Sequence, residues 1–339
     1  MTEIAKTNND QSWQIYTGTG QPHSKTVIFP DPPPWRTFPD HRGEDPQARG
    51  AVFQANKKEI DLVNAALILR RPLLITGKPG SGKSSLAYSV ARELKLGPVL
   101  HWPISSRSTL ADGLYRYDAI GRLQDASLKR ENANDTTVPD IGQYIQLGPL
   151  GNAFLSKGLP RVLLIDEIDK SDMDLPNDLL NIFEEGTFEI PELRRMARNK
   201  EALEVKVFSG LATSSHEEDD NWVSIHEGLV RCTTFPFVVL TSNDEREFPP
   251  AFLRRCIQLQ IEKPDKDELK RIVEAHLGPE IAHRANNFIE DFFKKGEESY
   301  RAVDQLLNVI YLFIREIPEN DRKILYDALL QSLTKADIP

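Results

Sequence analysis

Cysteine is scarce in this chain: Cys232 and Cys256 are the two among 339 residues. Two thiols are too few for a disulfide framework, and neither sits in a spacing that would hold a metal. Both read as buried, reduced side chains. Long apolar runs are missing as well, so there is no candidate membrane span, and Met1-Thr2-Glu3-Ile4-Ala5-Lys6 has no secretory apolar stretch. These features lead us to expect a cytoplasmic protein. Basic residues are in deficit, 42 Lys and Arg against 51 Asp and Glu, for a net charge of −9. That balance opposes sequence-independent nucleic-acid binding, which needs clustered cations. What is present fits a folded core: 40% hydrophobic and 27% charged residues, over a length that suggests about two domains.

Composition changes along the chain. Residues 1–50 form a polar, proline-rich arm centred on Phe29-Pro30-Asp31-Pro32-Pro33-Pro34-Trp35-Arg36. A proline run is extended and builds no core of its own. Trp13, Tyr16, Phe29, Trp35 and Phe38 are more aromatics than a solvated linker needs, so the arm is expected to pack along the domain or a neighbouring subunit. From Phe53 the pattern becomes globular. Lys57–Leu69 has helical apolar spacing, and strand candidates follow at Leu73–Thr76, Pro98–Ile104, Arg161–Asp166, Phe235–Thr241 and Cys256–Ile261. Several are continuous apolar runs, as parallel strands covered on both faces require. Alternation with helices predicts an α/β domain over 51–263, a parallel sheet sandwiched by helices. Two long connections, about 105–147 and 192–234, read as inserts. The first carries Tyr115, Tyr117 and a polar stretch, 131–137; the second carries the acidic run Glu217-Glu218-Asp219-Asp220, which reads as a solvated tip. Beyond Pro264 four amphipathic helices, at 265–277, 279–295, 299–314 and 320–333, predict a small all-helical domain over 264–339.

The chemistry centres on Gly77-Lys78-Pro79-Gly80-Ser81-Gly82-Lys83-Ser84, a complete G-x-x-x-x-G-K-S phosphate loop between a buried strand and a helix. Its glycines allow backbone N–H groups to turn inward on a polyphosphate, and the helix that follows adds its positive end. The expected contacts run through Gly77, Pro79, Gly80, Ser81, Gly82, Lys83, Ser84 and Ser85. Lys83 would reach the β- and γ-phosphates, and the Ser84 hydroxyl would sit on Mg²⁺. Val162-Leu163-Leu164-Ile165-Asp166-Glu167 is a buried strand ending in two carboxylates, at the sheet edge where ligands bind in open α/β folds. Neighbouring strand residues point to different sides, so the two acids can divide the work. Asp166 would hold Mg²⁺ through water, and Glu167 would polarise the attacking water.

In this order, the motifs resemble the AAA+ ATPase superfamily and, in wording, its MoxR-like branch. The residues that carry the resemblance are Gly148-Pro149-Leu150, Leu164-Ile165-Asp166-Glu167-Ile168-Asp169-Lys170, Leu179-Leu180-Asn181-Ile182-Phe183-Glu184-Glu185-Gly186, Thr241-Ser242-Asn243-Asp244 and Leu253-Arg254-Arg255-Cys256. It covers Phe53 to the C-terminus. The resemblance implies that Asn243 is the sensor amide orienting the lytic water. It implies that Arg255 is the finger completing a neighbour's site, with Arg254 beside it and the choice between them open; Leu-Arg-Arg-Cys replaces the family's Asp-Arg-Phe. Arg301, in Ser299-Tyr300-Arg301, matches the second sensor arginine without the usual middle proline. The helical domain becomes a lid, the inserts face a central channel or a partner, and Tyr115 and Tyr117 are either substrate contacts or packing aromatics.

The function this implies is ATP hydrolysis with Mg²⁺ by a hexameric ring that remodels or activates a partner protein, one bearing a von Willebrand factor A domain in relatives. Three other readings come from different classes: a McrB-like nucleic-acid motor, against which the acidic balance stands; a nucleotide-gated assembly switch with little turnover; and a small-molecule kinase, which has no need of the acid pair, Asn243 and a helical lid together. A Ras-type GTPase is opposed by the lack of an Asn-Lys-x-Asp motif.

Overall fold

The structure is a computed structural model and describes residues 13–16, 18–22, 26–36, 50–131, 140–156, 158–199, 204–209, 222–295, 302–314 and 317–330. The chain divides into two compact units, one of residues 39–263 and one of 264–339 together with 1–38. The described strands, all in the first unit, are β1 (Leu73–Thr76), β2 (Leu100–Pro103), β3 (Tyr115–Tyr117), β4 (Ile145–Leu147), β5 (Val162–Asp166), β6 (Thr187–Glu189), β7 (Glu204–Phe208), β8 (Trp222–His226), β9 (Leu229–Arg231), β10 (Phe237–Ser242) and β11 (Ile257–Gln260). They form two sheets.

The first sheet has the order β11-β1-β10-β5-β2, and every pairing is parallel. Its strands fall within the apolar runs of the sequence, for a simple physical reason. Val162 and Leu164 enter one core with Val63 and Ala66 of helix Lys57–Leu69 and Leu86 and Val90 of helix Lys83–Glu93. Leu163 and Ile165, the alternate residues, enter a second core with Leu150 and Phe154 of helix Pro149–Phe154, Leu179 of helix Leu175–Glu185 and Phe252 of helix Pro250–Arg255. Covered on both faces, the central strands β1, β5 and β10 admit polar side chains only at their C-terminal ends, whereas the edge strands β2 and β11 carry exposed His101, Gln258 and Gln260. The result is the expected parallel sheet flanked by helices.

The second sheet, β3-β4-β7-β8-β9-β6, is built largely from the two long connections. The first insert contributes helix Leu110–Leu114, β3, helix Ala119–Glu131 and β4; the second contributes most of helix Pro191–Arg198, then β7, β8 and β9. Pairings are antiparallel except between β4 and β7. One face is apolar: Ile145, Leu147, Val205, Val207, Ile225 and Val230 all join the second core. The polar stretch over 131–137, apart from residue 131 at a helix end, and the acidic run over 217–220 lie outside the described residues.

The other unit is helical, with described helices Lys266–Leu277, Pro279–Arg284, Asn286–Lys295, Val303–Phe313 and Glu319–Leu329. The single helix expected over 279–295 is therefore two, parted at Ala285. Asp265 opens the first helix with a reciprocal cap, accepting from Glu268 N–H at 2.7 Å while Glu268 Oε2 accepts from Asp265 N–H at 3.1 Å. Leu269, Ile289, Phe292, Leu306 and Ile310 form the core. The arm belongs to this unit. Trp13 Nε1 donates to Asp321 Oδ2 at 3.0 Å, Trp35 Nε1 donates to Asn308 Oδ1 at 3.1 Å, and Tyr311 donates to the Asp31 carbonyl at 2.8 Å. The Trp35 ring stands edge-on to His276 and Tyr311, with centroids at 6.1 and 5.7 Å. Among the described residues of the whole chain, no helix is long and apolar enough to cross a membrane.

Candidate active site

Three backbone features build the site at the C-terminal edge of the parallel sheet. The phosphate loop leaves β1 with Gly77, Gly80 and Gly82 at φ +151°, +74° and +85°, a turn side-chain-bearing residues rarely make. A Cβ on Gly77 would lie 2.7 Å from the Ile261 carbonyl, so the loop can run there only with glycine. Glu167 follows β5 at φ +60°, ψ +48°, a left-handed conformation that costs a non-glycine residue about 1–2 kcal/mol. Its N–H is held by Thr241 Oγ1 at 2.9 Å, which turns the Glu167 side chain out of the strand line. Asn243 follows β10 directly, and its N–H is fixed by Asp169 Oδ2 at 2.8 Å.

The side chains converge. Lys83 Nζ donates to the Gly77 carbonyl at 2.8 Å, to the Lys78 carbonyl at 2.9 Å and to Asn243 Oδ1 at 2.8 Å. Asn243 Nδ2 reaches Glu167 Oε1 at 3.5 Å, and Lys170 Nζ donates to Glu167 Oε2 at 2.7 Å. Ser84 Oγ donates to Asp166 Oδ1 at 2.7 Å, and Thr241 Oγ1 donates to the same oxygen at 2.6 Å. His101 Nε2, on β2, lies 3.3 Å from Asp166 Oδ2. Burial pushes the Asp166 carboxyl up, but the hydrogen bonds from His101, Thr241 and Ser84 outweigh it and bring it down to about 2. Burial lowers the Lys83 ammonium from its ordinary value, while Asp169, Asp166, Asp244 and Glu167 pull the other way.

These residues fit a metal-bound nucleoside triphosphate. Ser81 Oγ, inside the phosphate loop, is a buried hydroxyl with no hydrogen-bond partner among the described residues, where a phosphate oxygen would serve. Ser84 and Asp166 offer a hydroxyl and an ionised carboxylate side by side, the hard oxygen donors that Mg²⁺ takes. Gly77 through Ser85 form the cradle, and Ser85 N–H bonds the Gly82 carbonyl at 3.0 Å to start the helix.

Lys83, Ser84, Asp166, Glu167 and Asn243 thus belong to one network. Arg254 and Arg255 do not join it. They end helix Pro250–Arg255, where Arg254 Nε donates to the Pro250 carbonyl at 3.3 Å and Arg255 Nε pairs with Glu184. Arg301 lies outside the described residues. Tyr115 and Tyr117 turn inward to pack on the second core: the Tyr115 hydroxyl donates to Glu192 Oε2 at 3.0 Å, and the Tyr117 hydroxyl accepts from Arg122 at 3.2 Å. They are packing aromatics.

Thr241, Arg246 and His101 had no role legible in the sequence, and Asp169 read at most as a cap of the following helix. Asp169 Oδ2 also accepts from Glu245 N–H at 3.3 Å, so one carboxylate pins the backbone on both sides of Asp244. Arg246 closes the same junction, donating to the Ser171 and Asp172 carbonyls at 2.8 and 3.1 Å. Asp169 and Thr241 lie inside the quoted motifs, so proximity to Glu167 and Asn243 was an available signal; Arg246 and His101 gave none.

No curated protein matches the chain. A family model described as the AAA domain of the dynein-related subfamily matches residues 72–256, the span from β1 to the end of the helix that carries Arg254 and Arg255. With more than half of its length matched and a phosphate loop, acid pair and strand-end asparagine meeting at one sheet edge, this chain belongs to the AAA family, in the dynein-related subfamily.

Proposed function

We propose that the chain hydrolyses ATP and works as a MoxR-like, ring-forming remodeller of a partner protein. The observation that carries this reading is the Asn243 amide, which touches Lys83 with its oxygen and Glu167 with its nitrogen. One side chain thereby registers the phosphate-binding cation against the carboxylate that would take a proton from water. Bound Mg²⁺-ATP would supply the transferable phosphoryl group and the counter-charge on its oxygens. Ser84 and Asp166 would hold the metal, Asp166 through water. Lys83 would give up the Gly77 and Lys78 carbonyls to face phosphate. Glu167 would orient and deprotonate water, with Asn243 fixing the direction of approach.

What the network omits among the described residues supports a ring. Its cations are Lys83 and Lys170, whereas phosphoryl transfer gains from a cation delivered at the terminal phosphate. Arg255, or Arg254 beside it, is half-exposed at a helix end and could be presented to a neighbouring subunit after exchanging Glu184 for phosphate. Arg301 would act in cis from the helical lid. Six subunits and a partner with a von Willebrand factor A domain belong to this proposal through the MoxR likeness.

Glu167→Gln tests it. Phosphate release should fall about a hundredfold or more while nucleotide binding is kept. Light scattering of the variant with ATP should show a ring, and affinity capture should retain the partner. Unchanged turnover would overturn the role of Glu167; a monomer at micromolar concentration with ATP would overturn the ring. A second reading, an assembly switch with little turnover, draws on the Lys170–Glu167 bond, which occupies the carboxylate needed as a base. Lys170→Ala separates the two: faster turnover in the variant favours the switch, and unchanged or slower turnover favours the remodeller.

A further inference from the structure

Strand β3 is three residues long, and its alternation separates Tyr115 and Tyr117, which face the core, from Arg116, whose side chain is 74% exposed. Arg116 borders a cleft of about 510 Å³ walled by the end of β2, the turn after it, β3 and β4. That volume lies within the range of ligand pockets, roughly 300–1,000 Å³, and suits a few side chains. The walls are firm. Ser108 Oγ accepts from Ser105 N–H at 2.9 Å, and a Cβ on Gly148 would lie 2.4 Å from the Gly113 carbonyl, backbone against backbone.

The cleft's charge is specific. Arg107 and Arg116 both border it, and the Arg107 guanidinium has no hydrogen bond or ion pair among the described residues. Asp112 is the carboxylate on its wall, and Thr109 already occupies one of its oxygens, with N–H and hydroxyl bonds of 3.0 and 2.8 Å. Arg116 stands 3.6 Å from the other oxygen in an exposed pair that water weakens. Two guanidiniums so placed recognise a planar carboxylate by paired N–H groups. Gln146, exposed on the β4 wall, offers the donor and the acceptor that a peptide amide needs.

We propose that this cleft is a receptor for an acidic peptide segment of the protein being remodelled. The inference deepens the remodeller reading and rests on it for the ligand's being part of a client. A nucleic-acid strand fits less well, because two arginines are few against a continuous row of phosphates. A peptide meets both signs, its carboxylate on the arginines and its N–H on Asp112. The cleft also shares β2 with His101, the neighbour of Asp166, so an occupant lies one side chain from the nucleotide site.

The test is fluorescence anisotropy on the full chain with ATP, using a labelled octapeptide of alternating glutamate and leucine. A lysine–leucine octapeptide and a labelled eight-nucleotide thymidine oligomer serve as competing probes. The acidic peptide should bind and weaken with added salt, and the double variant Arg107→Glu/Arg116→Glu should lose affinity at least about tenfold. Both arginines are exposed, so melting temperature and basal phosphate release should match the unmodified chain. Equal binding of the lysine peptide, affinity unchanged in the double variant, or arginine-dependent preference for the thymidine oligomer would each overturn the proposal. Phosphate release from the same samples separates the two readings. Turnover without peptide binding sinks the cleft alone; arginine-dependent binding without turnover in the unmodified chain sinks the ATPase reading and leaves the cleft standing.

Discussion

In the parallel sheet, Val162 to Ile165 and Phe237 to Leu240 are buried residue after residue, whereas in the second sheet β7 alternates exposed Glu204 and Lys206 with buried Val205 and Val207. The first sheet is gripped from both sides by helices, and its free edge carries bonds of 2.6–2.8 Å among Ser84, Asp166, Thr241, Lys83 and Asn243. The second has one buried face and one that meets solvent, and Arg116 stands on the side away from the core. Rigidity goes with the chemistry and exposure goes with recognition. Short hydrogen bonds to charged groups hold their geometry only if the strands beneath cannot shift, whereas a docking surface needs side chains left in water.

The largest break in this comparison should come from a cavity. Leu164→Ala removes a side chain with no exposed surface from the middle of β5, between Ile165 and Leu163, which face the other core. We expect a loss of about 3 kcal/mol or more in stability. Lys206→Ala, on the open face of β7, should stay within about 0.5 kcal/mol. Urea melts of the two variants measure both. Equal losses would show the second sheet to be as tightly constrained as the first.

The same contrast explains how much could be read in advance. Doubly covered strands must be apolar along most of their length, so β1, β5 and β10 announced themselves as runs, and Gly77, Asp166, Glu167 and Asn243 stood out where those runs give way. Half-covered strands of three to five residues write a weaker pattern, and Glu204-Val205-Lys206-Val207-Phe208 reads as ordinary polar connection unless its partner β8 is known. The same shortness hid Arg116, since three residues are too few to show which side faces the core. The helix break at Ala285 carried no glycine or proline, and alanine is the best helix former, so nothing local marked it. Asp169 was visible as a motif letter, but its grip on Asn243 depends on the spatial pairing of β5 with β10.

That grip gives a smaller, sharper test. Asp169→Asn weakens the acceptor for the Asn243 and Glu245 N–H groups without emptying the space, so nucleotide affinity should hold while turnover drops about tenfold, equivalent to roughly 1.4 kcal/mol. Tyr115→Phe is the counterpart in the second sheet. Losing the bond to Glu192 should cost about 1 kcal/mol of stability and leave turnover as it was. A loss of kcat in Tyr115→Phe, or an affinity loss in Asp169→Asn, would blur the division of labour between the sheets.

The two thiols probe the contrast most gently. Cys256 immediately precedes β11 of the parallel sheet and is buried; Cys232 immediately follows β9 of the second sheet and is half-buried. Burial pushes the Cys256 thiol up to about 12, with Arg71 pulling slightly back, and burial also raises Cys232. Because the thiolate is the reactive form, iodoacetamide at mildly alkaline pH should label Cys232 before Cys256, and both readily in guanidinium. The linkage has a definite sign. The folded chain keeps the Cys256 proton above pH 9, where the unfolded thiol releases it, so this contribution to stability is intact below pH 9 and is lost as pH rises towards 12. Cys256→Ser should flatten the alkaline fall more than Cys232→Ser does. If Cys256 labelled first, the β11 margin of the parallel sheet would be opening locally, and the tighter of the two sheets would be the one assigned here to recognition.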